Sequence, residues 1–255
     1  MLAVVPSHWN NPNRRRRLSC AAFLDLLRSK PAAFIHDHVR NILFGGADDS
    51  LEESAQALSK CTGAMNVMLY YDSLPLVLPS LSMMPLLRLS ANLGFLFGPR
   101  NTVDFQHPVF ERLTHLAIFD WETAIVLPSG LALMPCLTHL SFTAVWKPEF
   151  HTAVLAQCPR LQVLAVLVIG HSFAVWHEHH THFSEDARTV LISCLGLLQD
   201  WELGTEGGAD YWVRAEHSIA KRRTGVVKGK SRPNVGSQFI DLCASEFVVE
   251  PSIAA

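Results

Sequence analysis

Three stretches of this chain carry the same short apolar pattern at constant spacing, and no other feature restricts the fold as much. They are Leu113-Thr114-His115-Leu116-Ala117-Ile118, Leu137-Thr138-His139-Leu140-Ser141-Phe142 and Leu161-Gln162-Val163-Leu164-Ala165-Val166. Each reads L-x-x-L-x-φ, with φ apolar, and successive copies begin 24 residues apart. Side chains alternate along a strand, so a segment of this form buries one set of residues and presents the other. The first, fourth and sixth residues are expected to face inward, and the third, fifth and seventh outward.

With the pattern in hand, weaker copies emerge at Val39–Phe44, Met65–Tyr70, Leu86–Ala91 and Ala187–Ile192, for seven in all, beginning 21 to 27 residues apart. A period in the twenties with this motif is the signature of a leucine-rich-repeat solenoid. The expected fold is therefore α/β: a short parallel β-sheet, one strand per degenerate repeat, with helical or irregular crossovers. Ser19 can cap a helix whose face is Cys20, Phe23, Leu24 and Leu27, with Pro31 limiting its end. Ser50-Leu51-Glu52-Glu53 reads as a capping box, and Pro148-Glu149 suits a first helical turn. The connectors 72–85 and 121–135 carry prolines and read as partly irregular.

The domain reading follows. Residues 1–17, with the run Arg14–Arg17, are expected to be a disordered basic arm. Residues 18–225 form the repeat domain, and 226–255 a loose tail. Asp210 is a good N-cap for a helix over 210–223 with Trp212, Ala215 and Ile219 as its apolar stripe. Lys221, Arg222 and Arg223 sit where the helix dipole favours positive charge. This helix is expected to close the open end of the array, as terminal repeats must.

Composition narrows the functional classes. Hydrophobic residues make up 49% of the chain and charged ones 17%, which fits a folded body. A formal net charge of −2 gives no general pull toward nucleic acid or an anionic membrane. The longest apolar run, Val163–Ile169, is far short of the roughly 20 residues that span a bilayer. The expected location is cytoplasmic or nuclear. The six cysteines are scattered with no C-x-x-C pair, which suits reduced core thiols.

If the strands stack at about 4.8 Å, seven of them offer an open face on the order of 30 Å wide. Its expected partner-binding residues are Tyr71, Arg88, Asn92, His115, Phe119, His139, Thr143 and Leu167. Tyr71, Phe119 and Arg88 are the side chains of hot-spot type. The alternative is that the apolar positions of this face are covered by the chain's own termini.

Catalytic chemistry finds little support. His115 and His139 fall in the same slot of adjacent repeats, but a metal ion there needs a third and a fourth ligand. The flanking slots hold Arg88 and Val163, which supply none, so no metal and no cofactor is expected. A second cluster, His171, His177, His179, His180 and His182, lacks the H-E-x-x-H spacing of a zincin helix, because Thr181 occupies the fifth position. A metal-dependent enzyme using this 171–182 segment is the remote alternative. No G-x-S-x-G, P-loop or G-x-G-x-x-G segment occurs.

The run F-E-R-L-T-H-L-A-I-F-D at Phe110–Asp120, the phrases M-P-C-L-T-H-L and C-P-R-L-Q-V-L, and Asp210-Tyr211-Trp212 leading to Lys221-Arg222-Arg223 resemble the F-box-like leucine-rich-repeat proteins abundant in mushroom-forming fungi. The resemblance covers about residues 30–225. It implies protein partners: a cullin ubiquitin-ligase adaptor docked through an N-terminal F-box, and a substrate recruited by the repeats. Residues 1–30 depart from the pattern, since no complete F-box is legible there. The expected function is thus a non-enzymatic protein-recognition module acting as a substrate receptor, or a freestanding scaffold or regulatory repeat protein without a ligase.

Overall fold

The structure, a computed structural model, describes residues 2–4, 18–44, 51–70, 75–98, 103–119, 130–143, 148–169, 186–194 and 196–224. It is an α/β protein with one all-parallel sheet. The strands are β1 (Leu2–Val4), β2 (Asn41–Phe44), β3 (Asn66–Leu69), β4 (Arg88–Ala91), β5 (His115–Ile118), β6 (His139–Thr143), β7 (Val163–Ile169) and β8 (Thr189–Cys194). Their order in the sheet is their order in the chain. The motif leucines occupy one rung, Leu89↔Leu116↔Leu140↔Leu164. Residues 2–4 of the expected disordered arm supply the edge strand β1, paired with β2. Among the described residues no helix is long and apolar enough to cross a membrane.

The connectors pack on the inner face. They include α1 (Cys20–Ser29), α2 (Ala32–His38), α3 (Leu51–Lys60), α4 (Leu78–Ser82), α5 (Leu93–Phe97) and α6 (Pro148–Gln157). Ser19 caps α1 by accepting from the Ala22 N–H at 3.2 Å, and the stripe Cys20, Phe23, Leu24 and Leu27 is buried. Pro31 both limits α1 and opens α2, a helix the sequence pattern did not suggest. The inner core joins these helices to Ile42, Val67, Leu89, Leu116, Leu140 and Leu164. Cys20, Cys61, Cys158 and Cys194 are buried thiols outside any disulfide, and Cys136 is an exposed one. Burial pushes the Cys61 thiol up to about 12.

Two of the seven motif copies sit one residue away from the expected frame. Ile42 pairs with Val67, so Val67 and Leu69 join the inner core while Met68 faces outward. Leu164 pairs with Thr189, which turns Val190 and Ile192 outward and Leu191 inward. A one-residue slip exchanges the two faces of a strand. Both segments, Val67-Met68-Leu69-Tyr70 and Val190-Leu191-Ile192, are continuously apolar, so alternation within them carries no frame. The ladder pairing decides it.

The C-terminal helices are the second departure. Helices α7 (Leu197–Thr205) and α8 (Tyr211–Arg223) lie on the outer sheet face, where α8 was expected to close an end. The turn between them uses Gly207 at φ 83°, a left-handed conformation that favours glycine. The reason is apolar area: Leu43, Met68, Ala117, Val163, Ala165 and Val190 project outward and need a cover.

Candidate functional site

Two outward rows of the sheet frame the site. The first runs Asn41, Asn66, Arg88, His115, His139 and Val163 in register, and the second runs Leu43, Met68, Ser90, Ala117, Ser141 and Ala165. The first row, at the strands' amino ends, is the more polar, and the C-terminal helices answer it residue by residue. Trp201 of α7 donates its indole N–H to Asn66 Oδ1 at 3.1 Å. Asp210 caps α8 by accepting from the Val213 N–H at 2.9 Å and pairs with Arg88 at 3.4 Å. Tyr211 and Ser141 bond through their hydroxyls at 3.2 Å, and burial pushes the Tyr211 phenol far above its ordinary range. Arg214 ties α8 to Asp200 of α7 at 2.8 Å, and burial still raises the Asp200 carboxyl. At the far end Arg222 donates to the Thr189 carbonyl, at the start of β8.

The histidines lie beneath Trp212. The rings of His115 and His139 stack at 4.0 Å with 11° between their planes, and Trp212 meets both nearly perpendicularly at 5.2 and 5.8 Å. Each Nδ1 lies 2.8 Å from the hydroxyl of the preceding threonine, Thr114 or Thr138. Those hydroxyls donate in turn to backbone carbonyls of the preceding strand segments, Leu87 at 3.0 Å and Thr114 at 3.2 Å. Burial, then the neighbouring His139 and Arg88, lower the His115 pKa to about 2. Burial also lowers His139, opposed by Glu216, whose Oε1 lies 2.9 Å from its Nε2. One ligand atom each of His115, His139 and Glu216 lies within 4.8 Å of the others. A cleft of about 350 Å³ opens beside His139 and Glu216, bordered by Gln162, Val163, Ile219 and Arg223.

The expected partner face is therefore divided. Arg88, His115 and His139 are engaged by α8 or its cap; His139 and Leu167 are buried, and Arg88 and His115 half-buried. The physical cause is the apolar cover already described. Asn92, Phe119 and Thr143 remain half-buried at the carboxyl ends of their strands. There Asn92 caps α5 by accepting from the Phe95 N–H, and Phe119 meets Tyr70 edge to face at 6.4 Å. Tyr71, the Arg14–Arg17 run, the His171–His182 cluster and the 226–255 tail lie outside the described residues.

Sequence reasoning missed Glu216 as a partner of the histidine pair. A signal existed: Glu216 is four residues after Trp212 and three before Ile219, so it borders the helix's buried stripe while itself staying exposed. A charged residue at the border of such a stripe can reach a partner beneath the helix. No protein-family model, curated protein or solved structure matches this chain.

Proposed function

We propose that this chain is a leucine-rich-repeat solenoid working as a non-enzymatic protein-recognition module. The observation that carries the reading is the sheet order. Strands follow one another in chain order, each pairing with the next, and equivalent motif residues line up in rows across neighbouring strands. That is the arrangement from which a repeat protein builds an extended binding surface. The partner surface lies at the carboxyl ends of the strands, around Tyr70, Phe119 and Thr143, because α8 meets the amino-terminal halves. An aromatic pair at the edge of a covered face suits a protein anchor.

Between the two forms of this reading, a ubiquitin-ligase substrate receptor or a scaffold without a ligase, one observation favours the scaffold. Helix α1 spends its apolar stripe on the body of the protein, packing against α3, and does not offer it to an adaptor. The test is affinity purification with the full chain as bait, against a Phe119→Ser/Thr143→Arg variant whose thermal melt is checked in parallel. Partners retained by the wild type and lost from the folded variant are expected. Identical sets from both baits overturn the surface assignment, and a cullin adaptor among the retained proteins restores the receptor form.

A further inference from the structure

We propose that His115, His139 and Glu216 form a binding site for one divalent transition-metal ion of the zinc class, with a further coordination position open to the cleft beside His139. Two imidazoles and a carboxylate are a donor set that zinc accepts, and three protein ligands plus an open position is the composition of non-structural zinc sites.

The hydrogen-bond network argues for it. A threonine hydroxyl has one proton, and those of Thr114 and Thr138 go to the carbonyls of Leu87 and Thr114. With the oxygen of each threonine facing Nδ1 as an acceptor, the neutral ring carries its proton on Nδ1 and keeps a lone pair on Nε2. That is the arrangement by which second partners orient a histidine ligand, here built twice by the same Thr-His dipeptide in adjacent strands. At His139 the Nε2 lone pair then faces a carboxylate oxygen at 2.9 Å. Two acceptors at that distance call for a cation between them.

Geometry agrees. In a tetrahedral site with bonds of 2.0–2.1 Å, donor atoms stand about 3.3 Å apart. The three donors already lie within 4.8 Å of one another, and the half-exposed Glu216 side chain is free to swing the remaining distance. Arg88 is paired with Asp210, and Arg223 borders the cleft beside the Glu216 carboxylate. The cleft gives the ion a route in and leaves room for water at the open position.

The test uses the full chain with Zn²⁺ and Co²⁺ as probes, in a background where His177, His179, His180 and His182 are changed to serine to remove the other histidine cluster. One equivalent of Zn²⁺ is expected to survive dialysis, and Co²⁺ to give the visible absorption of a four- or five-coordinate ion. Glu216→Gln, on the exposed side of α8, keeps the fold and weakens binding tenfold or more. His139→Ala abolishes the cobalt spectrum, and Thr138→Val, which leaves every ligand in place, weakens affinity about 10–100-fold. Absence of stoichiometric Zn²⁺ in the serine background overturns the proposal, as does binding that Glu216→Gln leaves unchanged.

Discussion

The two faces of the sheet are held by different physics. On the inner face the rung Leu89, Leu116, Leu140 and Leu164 meets helices and turns through hydrocarbon alone. On the outer face, a few ångströms away through the same backbone, the apolar contacts are joined by polar ones: Asn66 with Trp201, Arg88 with Asp210, Ser141 with Tyr211, His139 with Glu216. The inner face is non-directional and tolerates any well-packed filling of similar volume. The outer face is directional: α8 fits in one register, because each polar group left unpaired beneath it costs about 1–3 kcal/mol. A cover held in this way is specific in position and weaker in total, which suits an element laid over a site.

The largest effect that tests this contrast comes from the inner face. Phe142→Ala, at a side chain 2% exposed, is expected to cost about 3–5 kcal/mol in urea denaturation. It should speed hydrogen exchange throughout the sheet. Ile219→Ala, the matching deletion on α8, should cost about 2 kcal/mol, at the low end of its class because Ile219 borders the open cleft. Its faster exchange should be confined to α7 and α8. Exchange that rises across β4–β7 as well would show that both faces unfold as one unit, and the contrast would fail.

A smaller effect separates capping from ion pairing in the cover. Asp210→Ala removes both the cap on Val213 and the partner of Arg88, and is expected to cost about 2 kcal/mol. Asp210→Asn keeps the cap and should lose about half of that. Equal losses would mean that the ion pair, not the cap, positions α8. The smallest effect is the Ser141–Tyr211 bond, for which a double-mutant cycle with Ser141→Ala and Tyr211→Phe should give a coupling of about 1 kcal/mol. A coupling near zero would leave the aromatic contacts alone holding the helix.

Much of the architecture was legible because it is local. Leucine spacing in the central copies places strands and their inward residues, and Leu116, Leu140 and Leu164 do fall on one rung. Ser19, Asp210 and the stripe of Trp212, Ala215 and Ile219 announce their helices in the same local way. Legibility ended where a segment was apolar at every position. Around Met68 and Val190 either face could be the inner one, and only pairing with Leu43 and Ala165 chose.

The chain's own letters thus determined strands in sequence, an apolar inner face and a pair of histidines in matching slots. The fold alone decided what lies over those histidines. Glu216 reaches His139 across 77 residues, and no periodicity carries information over that distance. That contact exists because the outer strand residues are apolar enough to draw α8 onto them, and because a charged side chain at the edge of the buried stripe comes to rest where the sheet offers it a nitrogen.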